Sequence, residues 1–216
     1  MLLTLLKWPI INLLDKFGLY APLILRNSAL KDDGWFNSYR LKIPVDCNNK
    51  PLPWMPYPFI DFIVTRLDSN MNILEFGSGN STLFFSARVK HVTAVEHDVD
   101  WFKTIQTRMP SNVSINYVNL DDGDKYCNFA NTGNCVFDII IVDGRKRLSC
   151  IINSINALAE DGVLILDDSE REKYTECKQY LINLGFKEID FWGLAPGQTY
   201  KKCTSVFYRQ LNCLGL

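Results

Sequence analysis

The chain predicts an α/β fold, a mostly parallel sheet covered by helices on both faces. Three observations carry this. From Ile73 onward, short apolar runs alternate with amphipathic segments, the pattern of repeated βα units. The run Phe137-Asp138-Ile139-Ile140-Ile141-Val142 is continuous and β-branched, as a strand buried on both faces must be. The chain then closes on two strand-like runs, Glu188–Trp192 and Thr204–Arg209, with no helical stretch between them, so one strand runs antiparallel.

The elements follow in order. Residues 1–25 are rich in leucine and isoleucine but broken by Lys7, Pro9, Asn12, Asp15 and Lys16, too short a run to span a bilayer. Lys7 interrupts it and no small-residue cleavage site follows, which argues against a signal peptide. From Pro9 to Phe17 the apolar residues return at helical spacing, giving an amphipathic helix suited to a membrane surface, a second copy or its own domain. Lys31 to Pro58, with five prolines from Pro44 onward and Trp35, Trp54 and Tyr57, reads as an irregular, aromatic lead-in. Residues 1–58 therefore form an N-terminal helical extension and lead-in, and residues 59–216 the main domain. Helices are expected at Phe59–Leu67, Ser81–Val89, Asp100–Arg108, Arg147–Leu158 and Glu172–Leu184. Strands are expected at Ile73–Phe76, Val92–Val95, Val113–Val118, Phe137–Val142 and Gly162–Leu166, before the closing pair.

Charge and cysteine content narrow the function. Twenty-three basic against twenty-four acidic residues leave a net charge of −1, which argues against a broad nucleic-acid footprint. Seven cysteines form no C-x-x-C pair and cannot all pair with one another, so a reducing cytoplasm is expected. If the N-terminal helix docks on lipid, the protein sits at the inner face of the membrane.

The most informative stretch is Ile73-Leu74-Glu75-Phe76-Gly77-Ser78-Gly79-Asn80-Ser81-Thr82. An apolar strand ends in an acid, a Gly-x-Gly turn follows, and Asn80, Ser81 and Thr82 open a helix whose free N–H groups face the same space. Dinucleotide-binding turns carry a third glycine where this chain has Thr82, and Glu75 would repel a pyrophosphate. A ligand bearing an amino group or a sulfonium centre suits that carboxylate. In open sheets of this kind ligands bind beyond the carboxyl ends of the strands. Acids stand at each such end here: Glu75, Glu96 with His97, Asp121-Asp122, Asp143, and Asp167-Asp168.

This E-x-G-x-G layout resembles motif I of the class I S-adenosylmethionine-dependent methyltransferases. The resemblance implies a Rossmann-like sheet of seven strands with the last reversed, and S-adenosylmethionine as cofactor. It assigns the turn residues Gly77, Ser78, Gly79, Asn80, Ser81 and Thr82, with Glu75, to the cofactor's amino-acid end. Glu96 would hold the ribose, His97 the adenine edge, and Asp121 or Asp122 the adenine amino group.

Asp143, Asp167 and Asp168 fall at two adjacent strand ends, where three crowded carboxylates would repel one another unless a cation or proton were shared. An oxygen-only cluster suits Mg²⁺ or Mn²⁺. The arrangement resembles the metal-dependent O-methyltransferases of the catechol and caffeoyl-coenzyme A type and the sugar O-methyltransferases of antibiotic pathways. That likeness implies Asp143, Asp167 and Asp168 as metal ligands and Lys146, three residues after Asp143, as general base, with Asp143 also a cofactor contact and a catalytic residue that serves as base where no metal is used. The cluster Arg145-Lys146-Arg147 departs from the catechol type and offers instead a clamp for an acidic group on the substrate. Pro53-Trp54-Met55 and Val142-Asp143-Gly144-Arg145 also resemble a group of little-characterised bacterial methyltransferases associated with polysaccharide or secondary-metabolite genes. Together these likenesses imply O-methylation of a carbohydrate or other small-molecule hydroxyl. The alternatives are a catalytically degenerate binding subunit and an N-methyltransferase, although the Asn/Asp-Pro-Pro motif of one N-methylating class is absent from the end of strand four.

Overall fold

The protein is seen here as a computed structural model that describes residues 7–133 and 135–216. Seven strands form one sheet: β1 (Asn72–Phe76), β2 (His91–Glu96), β3 (Val113–Tyr117), β4 (Phe137–Val142), β5 (Leu158–Leu166), β6 (Lys187–Leu194) and β7 (Lys201–Tyr208). Their spatial order is β3-β2-β1-β4-β5-β7-β6. The first five run parallel, and β7 lies antiparallel to both β5 and β6. The reversed last strand is therefore as expected.

Alternation along the strands builds two cores. Leu74, Phe76, Ile140, Val142, Leu164 and Leu166 face one layer, packed by Cys150, Ile151 and Leu181 of the helices Arg147–Ser154 and Thr175–Asn183. Ile73, Ile139, Ile141, Val163 and Ile165 face the other, under Phe59, Ile60 and Ile63 of the helix Tyr57–Val64 and Phe84 and Phe85 of the helix Asn80–Ser86. Both faces of β4 are thus buried, which is why its sequence shows no alternation. The helices end a few residues earlier than periodicity suggests, because their last turns relax into single-turn bends.

The lead-in differs from expectation. It contains a helix, Trp35–Leu41, ahead of its first proline at Pro44. Gly34 opens it at φ 81°, where a Cβ would lie 2.2 Å from the Asp46 backbone, so glycine is required on both counts. The expected amphipathic helix near Pro9–Phe17 is present as Lys7–Lys16 and exposes Ile10 and Leu13, with Phe17 exposed just beyond its end. Met1–Leu6 lie outside the described residues. Among the described residues no helix is long and apolar enough to cross a membrane.

Candidate functional site

The strand order reverses between β1 and β4, and a cleft opens beyond their carboxyl ends, where such folds hold their ligands. Two adjoining cavities occupy it. The first, about 350 Å³, is lined by Gly77, Ser78, Ser81, Glu96, His97 and Asp98, and faces Asp143, Arg145, Arg171 and Tyr174 across the cleft. The second, about 370 Å³, lies under the lead-in between Lys42, Pro44, Trp54, Asn80 and Asp143. Ser78, Ser81, Trp101 and Asp143 belong to both walls, so the two cavities adjoin.

The glycine turn is held by its neighbours. Gly77 takes φ 107°, a conformation that residues with side chains rarely adopt, and lies beside the Asp143 backbone. Its N–H donates to the Val95 carbonyl at 2.9 Å, which locks the turn onto β2. Trp101, on the helix Val99–Gln106, donates its indole N–H to the Ser78 carbonyl at 2.9 Å and stands as a partition between the cavities. Asn80 donates to the Pro44 carbonyl at 2.7 Å, tying the lead-in to the turn.

Glu75 departs from its expected role. It is 1% exposed and lines neither cavity. Its carboxylate accepts hydrogen bonds from Ser81 Oγ at 2.5 Å and Thr82 Oγ1 at 2.6 Å, while Thr82 Oγ1 accepts from the Gly79 N–H at 3.0 Å. Glu75 therefore braces the helix entrance from behind, and Thr82, fully buried, is its partner and not a ligand contact. Burial drives the Glu75 carboxyl up to about 7 against the pull of the two hydroxyls.

Glu96 lies at the wall of the first cavity. It ends β2 almost fully buried, with Oε2 accepting from Ser78 Oγ at 2.7 Å and Oε1 from the backbone N–H groups of His97 and Asp98 at 2.8 and 2.9 Å. The carboxylate is thus preoriented at the first cavity's wall, where Ser78 also lies. His97 lines the same cavity. Asp121 and Asp122 do not: both are exposed, and Asp122 lines a separate groove beside β3 with Asn119 and Lys125. Asn119, whose side chain accepts the Asp121 N–H at 3.0 Å, turns the loop away from the cleft.

Asp143, Asp167 and Asp168 do come together, with one oxygen from each within 4.8 Å of the others. Sequence reasoning missed what stands among them. Lys202, on β7 and only 5% exposed, places Nζ 2.6 Å from Asp167 Oδ2 and 2.8 Å from Asp168 Oδ1. Arg147 reaches Asp143 Oδ1 at 3.0 Å and Asp168 Oδ2 at 3.4 Å, stacks on the Tyr174 ring, and also donates to the Asp167 carbonyl. Arg171 meets Asp168 Oδ2 at 2.9 Å. Burial, then Asp167, raises the Asp143 carboxyl well above the ordinary range. Asp168 is also penalised by burial, yet Lys202, Arg147 and Arg171 hold it low. Five of the six carboxylate oxygens already have side-chain partners within the chain, four of them cationic, so the cluster does not fit a divalent ion.

Lys146 is a further correction. It takes φ 48° and sends its ammonium out to the carbonyls of Leu120 and Gly123, at 3.0 and 3.4 Å, away from the cleft. Of Arg145-Lys146-Arg147, only Arg145 presents an exposed side chain to the first cavity. Gly144 has its own reason: a Cβ there would lie 2.1 Å from the buried Tyr126 hydroxyl. Lys202 carries no local signal in the sequence, because it lies 35 residues from Asp167 and only the reversed β7 brings it back.

No protein-family model matches the chain, and no curated protein sequence matches it. Solved structures match its fold. A Staphylococcus aureus protein provisionally assigned as a caffeoyl-CoA O-methyltransferase superposes with a TM-score of 0.57 at 16% identity, over 91% of this chain and 99% of its own. The precorrin-6y C5,15-methyltransferase of Geobacter metallireducens GS-15 gives 0.56 at 12% identity, over 71% and 87%. An rRNA methylase from Streptococcus thermophilus gives 0.52 at 18%, over 69% and 93%. The fold is therefore an α/β methyltransferase fold.

Proposed function

We propose that the protein is an S-adenosylmethionine-dependent methyltransferase acting on a hydroxyl of a carbohydrate or other small molecule. The observation that carries this reading is Glu96, a buried carboxylate oriented by two backbone N–H groups at the wall of a cavity whose other side is the Gly77 turn. Such an acid at the end of the second strand suits a ribose diol. When bound, S-adenosylmethionine supplies an electrophilic methyl group on a sulfonium centre.

The chain's own residues would do the rest. Glu96 and the turn fix the nucleoside in the first cavity, and the second cavity admits the acceptor between the lead-in and Asp143. Asp143 belongs to both spaces and carries a carboxyl raised by burial and by Asp167, which makes it the better proton acceptor and the base of this reading. Trp54 and Trp101 offer flat apolar surface beside it, as a sugar ring requires. The balanced net charge and the small volume of the cavities favour a small acceptor over nucleic acid.

Calorimetry with S-adenosylhomocysteine tests the reading. Binding is expected for the wild type, and Glu96→Ala should weaken it by about 1.5–3 kcal/mol through loss of charge-assisted hydrogen bonds. An unaltered affinity in that variant would place the nucleoside elsewhere.

A further inference from the structure

We infer that Lys202 and Arg147 form a built-in cationic centre at the strand ends, closing the Asp143–Asp167–Asp168 cluster to divalent metal ions. The inference concerns the site's charge balance and is read out by metal binding, so it does not depend on the proposed transfer reaction.

The carboxylate oxygens are used up by the chain itself. Asp167 Oδ2 and Asp168 Oδ1 meet the Lys202 ammonium at 2.6 and 2.8 Å. Asp167 Oδ1 accepts from Thr204 Oγ1 at 2.5 Å, and Asp168 Oδ2 takes Arg171 at 2.9 Å with Arg147 behind it. Asp143 Oδ1 takes Arg147 at 3.0 Å. Three carboxylates thus face three cations, and among the described residues only Asp143 Oδ2 is left without a partner.

Lys202 is as fully used as its acids. An ammonium has three N–H bonds, and the third goes to the Trp54 carbonyl at 2.7 Å. To enter, a metal would have to expel an ammonium whose three donors are all satisfied and which is almost wholly buried. Asp168 adds a backbone commitment, since it takes φ 48° to turn its carboxylate back onto Lys202 and Arg147. Hard divalent ions also need several oxygen ligands to offset their lost water. One free carboxylate oxygen does not supply that. The bond to Trp54 has a second effect: Lys202 couples the acid cluster to the lead-in whose indole lines the second cavity. Lys202 is thus a positioning residue for both walls of the cleft.

Mn²⁺ is the probe, followed by its solution electron paramagnetic resonance signal during titration with the full chain. The wild type is expected to leave that signal undiminished at millimolar Mn²⁺, and its melting temperature should not move with Mg²⁺ or EDTA. Lys202→Ala uncovers Asp167 and Asp168 and should bind one Mn²⁺ at least tenfold more tightly than the wild type. A saturable wild-type Mn²⁺ site that Asp168→Asn abolishes would overturn the inference, as would a folded Lys202→Ala protein that binds none. Should Lys202→Ala fail to fold, Lys202→Arg keeps the cation and must stay metal-free like the wild type. Mn²⁺ binding to Lys202→Arg would count against the inference.

Discussion

Glu75 offers the sharpest test of how the glycine turn is held. Its carboxyl sits at about 7 in the folded chain, against an ordinary value of 4.5, chiefly because burial penalises the charged form. Between those two pH values the unfolded chain has released this proton while the folded chain still holds it. Stability must therefore fall as pH rises from about 4.5 to 7, then level off. At about 1.4 kcal/mol per tenfold, the gap corresponds to roughly 3 kcal/mol. Glu75→Gln reproduces the protonated form, its carbonyl accepting from Thr82 and its amide donating to Ser81. Urea unfolding of both proteins at pH 5 and pH 8 isolates the group, because the other acids titrate identically in each. Near pH 5 the two should differ little. At pH 8 the glutamine variant should be more stable by roughly 3 kcal/mol. A variant equally destabilised at both pH values would refute the argument, since Glu75 would then act through an ionised carboxylate that glutamine cannot replace.

Further outcomes follow from the cleft. Lys146→Ala should keep its turnover within about threefold, because the ammonium is bound to loop carbonyls, whereas a lost general base costs on the order of 10²–10⁴. Single-turnover methyl transfer measures it. Asp143→Asn should lower the rate on the order of 10²–10⁴ and leave S-adenosylhomocysteine affinity nearly intact in calorimetry. Gly144→Ala should destabilise by about 1–3 kcal/mol in urea unfolding, because its Cβ must displace the Tyr126 hydroxyl.

How far these features could be read from the sequence depends on how local each one is. The parallel strands were legible because burial on both faces leaves a continuous apolar run, as in Phe137–Val142. Gly77 and Glu96 were legible because turn geometry and strand-end position are local properties. The direction of a side chain is not local. Glu75 occupies the motif position but turns inward, drawn by two hydroxyls six and seven residues later. Lys146 has the spacing of a base, yet its left-handed backbone points it at another loop. The Trp35–Leu41 helix was obscured by the prolines that follow it, which dominate the composition of the segment without touching those seven residues.

The acid cluster shows why composition alone misjudges a charged site. Three aspartates at two strand ends demand neutralisation, and the sequence reading supplied it from outside as a metal ion. The fold supplies it from within, through one arginine a single turn beyond Asp143, a second, Arg171, beside Asp168, and one lysine from the strand that closes the sheet. Because β7 is antiparallel and inserted between β5 and β6, its first residues lie beside the last residues of β5. That places Lys202 against Asp167 and Asp168, while Ser205 pairs with Leu166. Reversal of the last strand is thus what brings an internal cation to the cleft. A parallel β7 would carry its opposite end there, and the Asp167 carboxylate would lose its cationic partner.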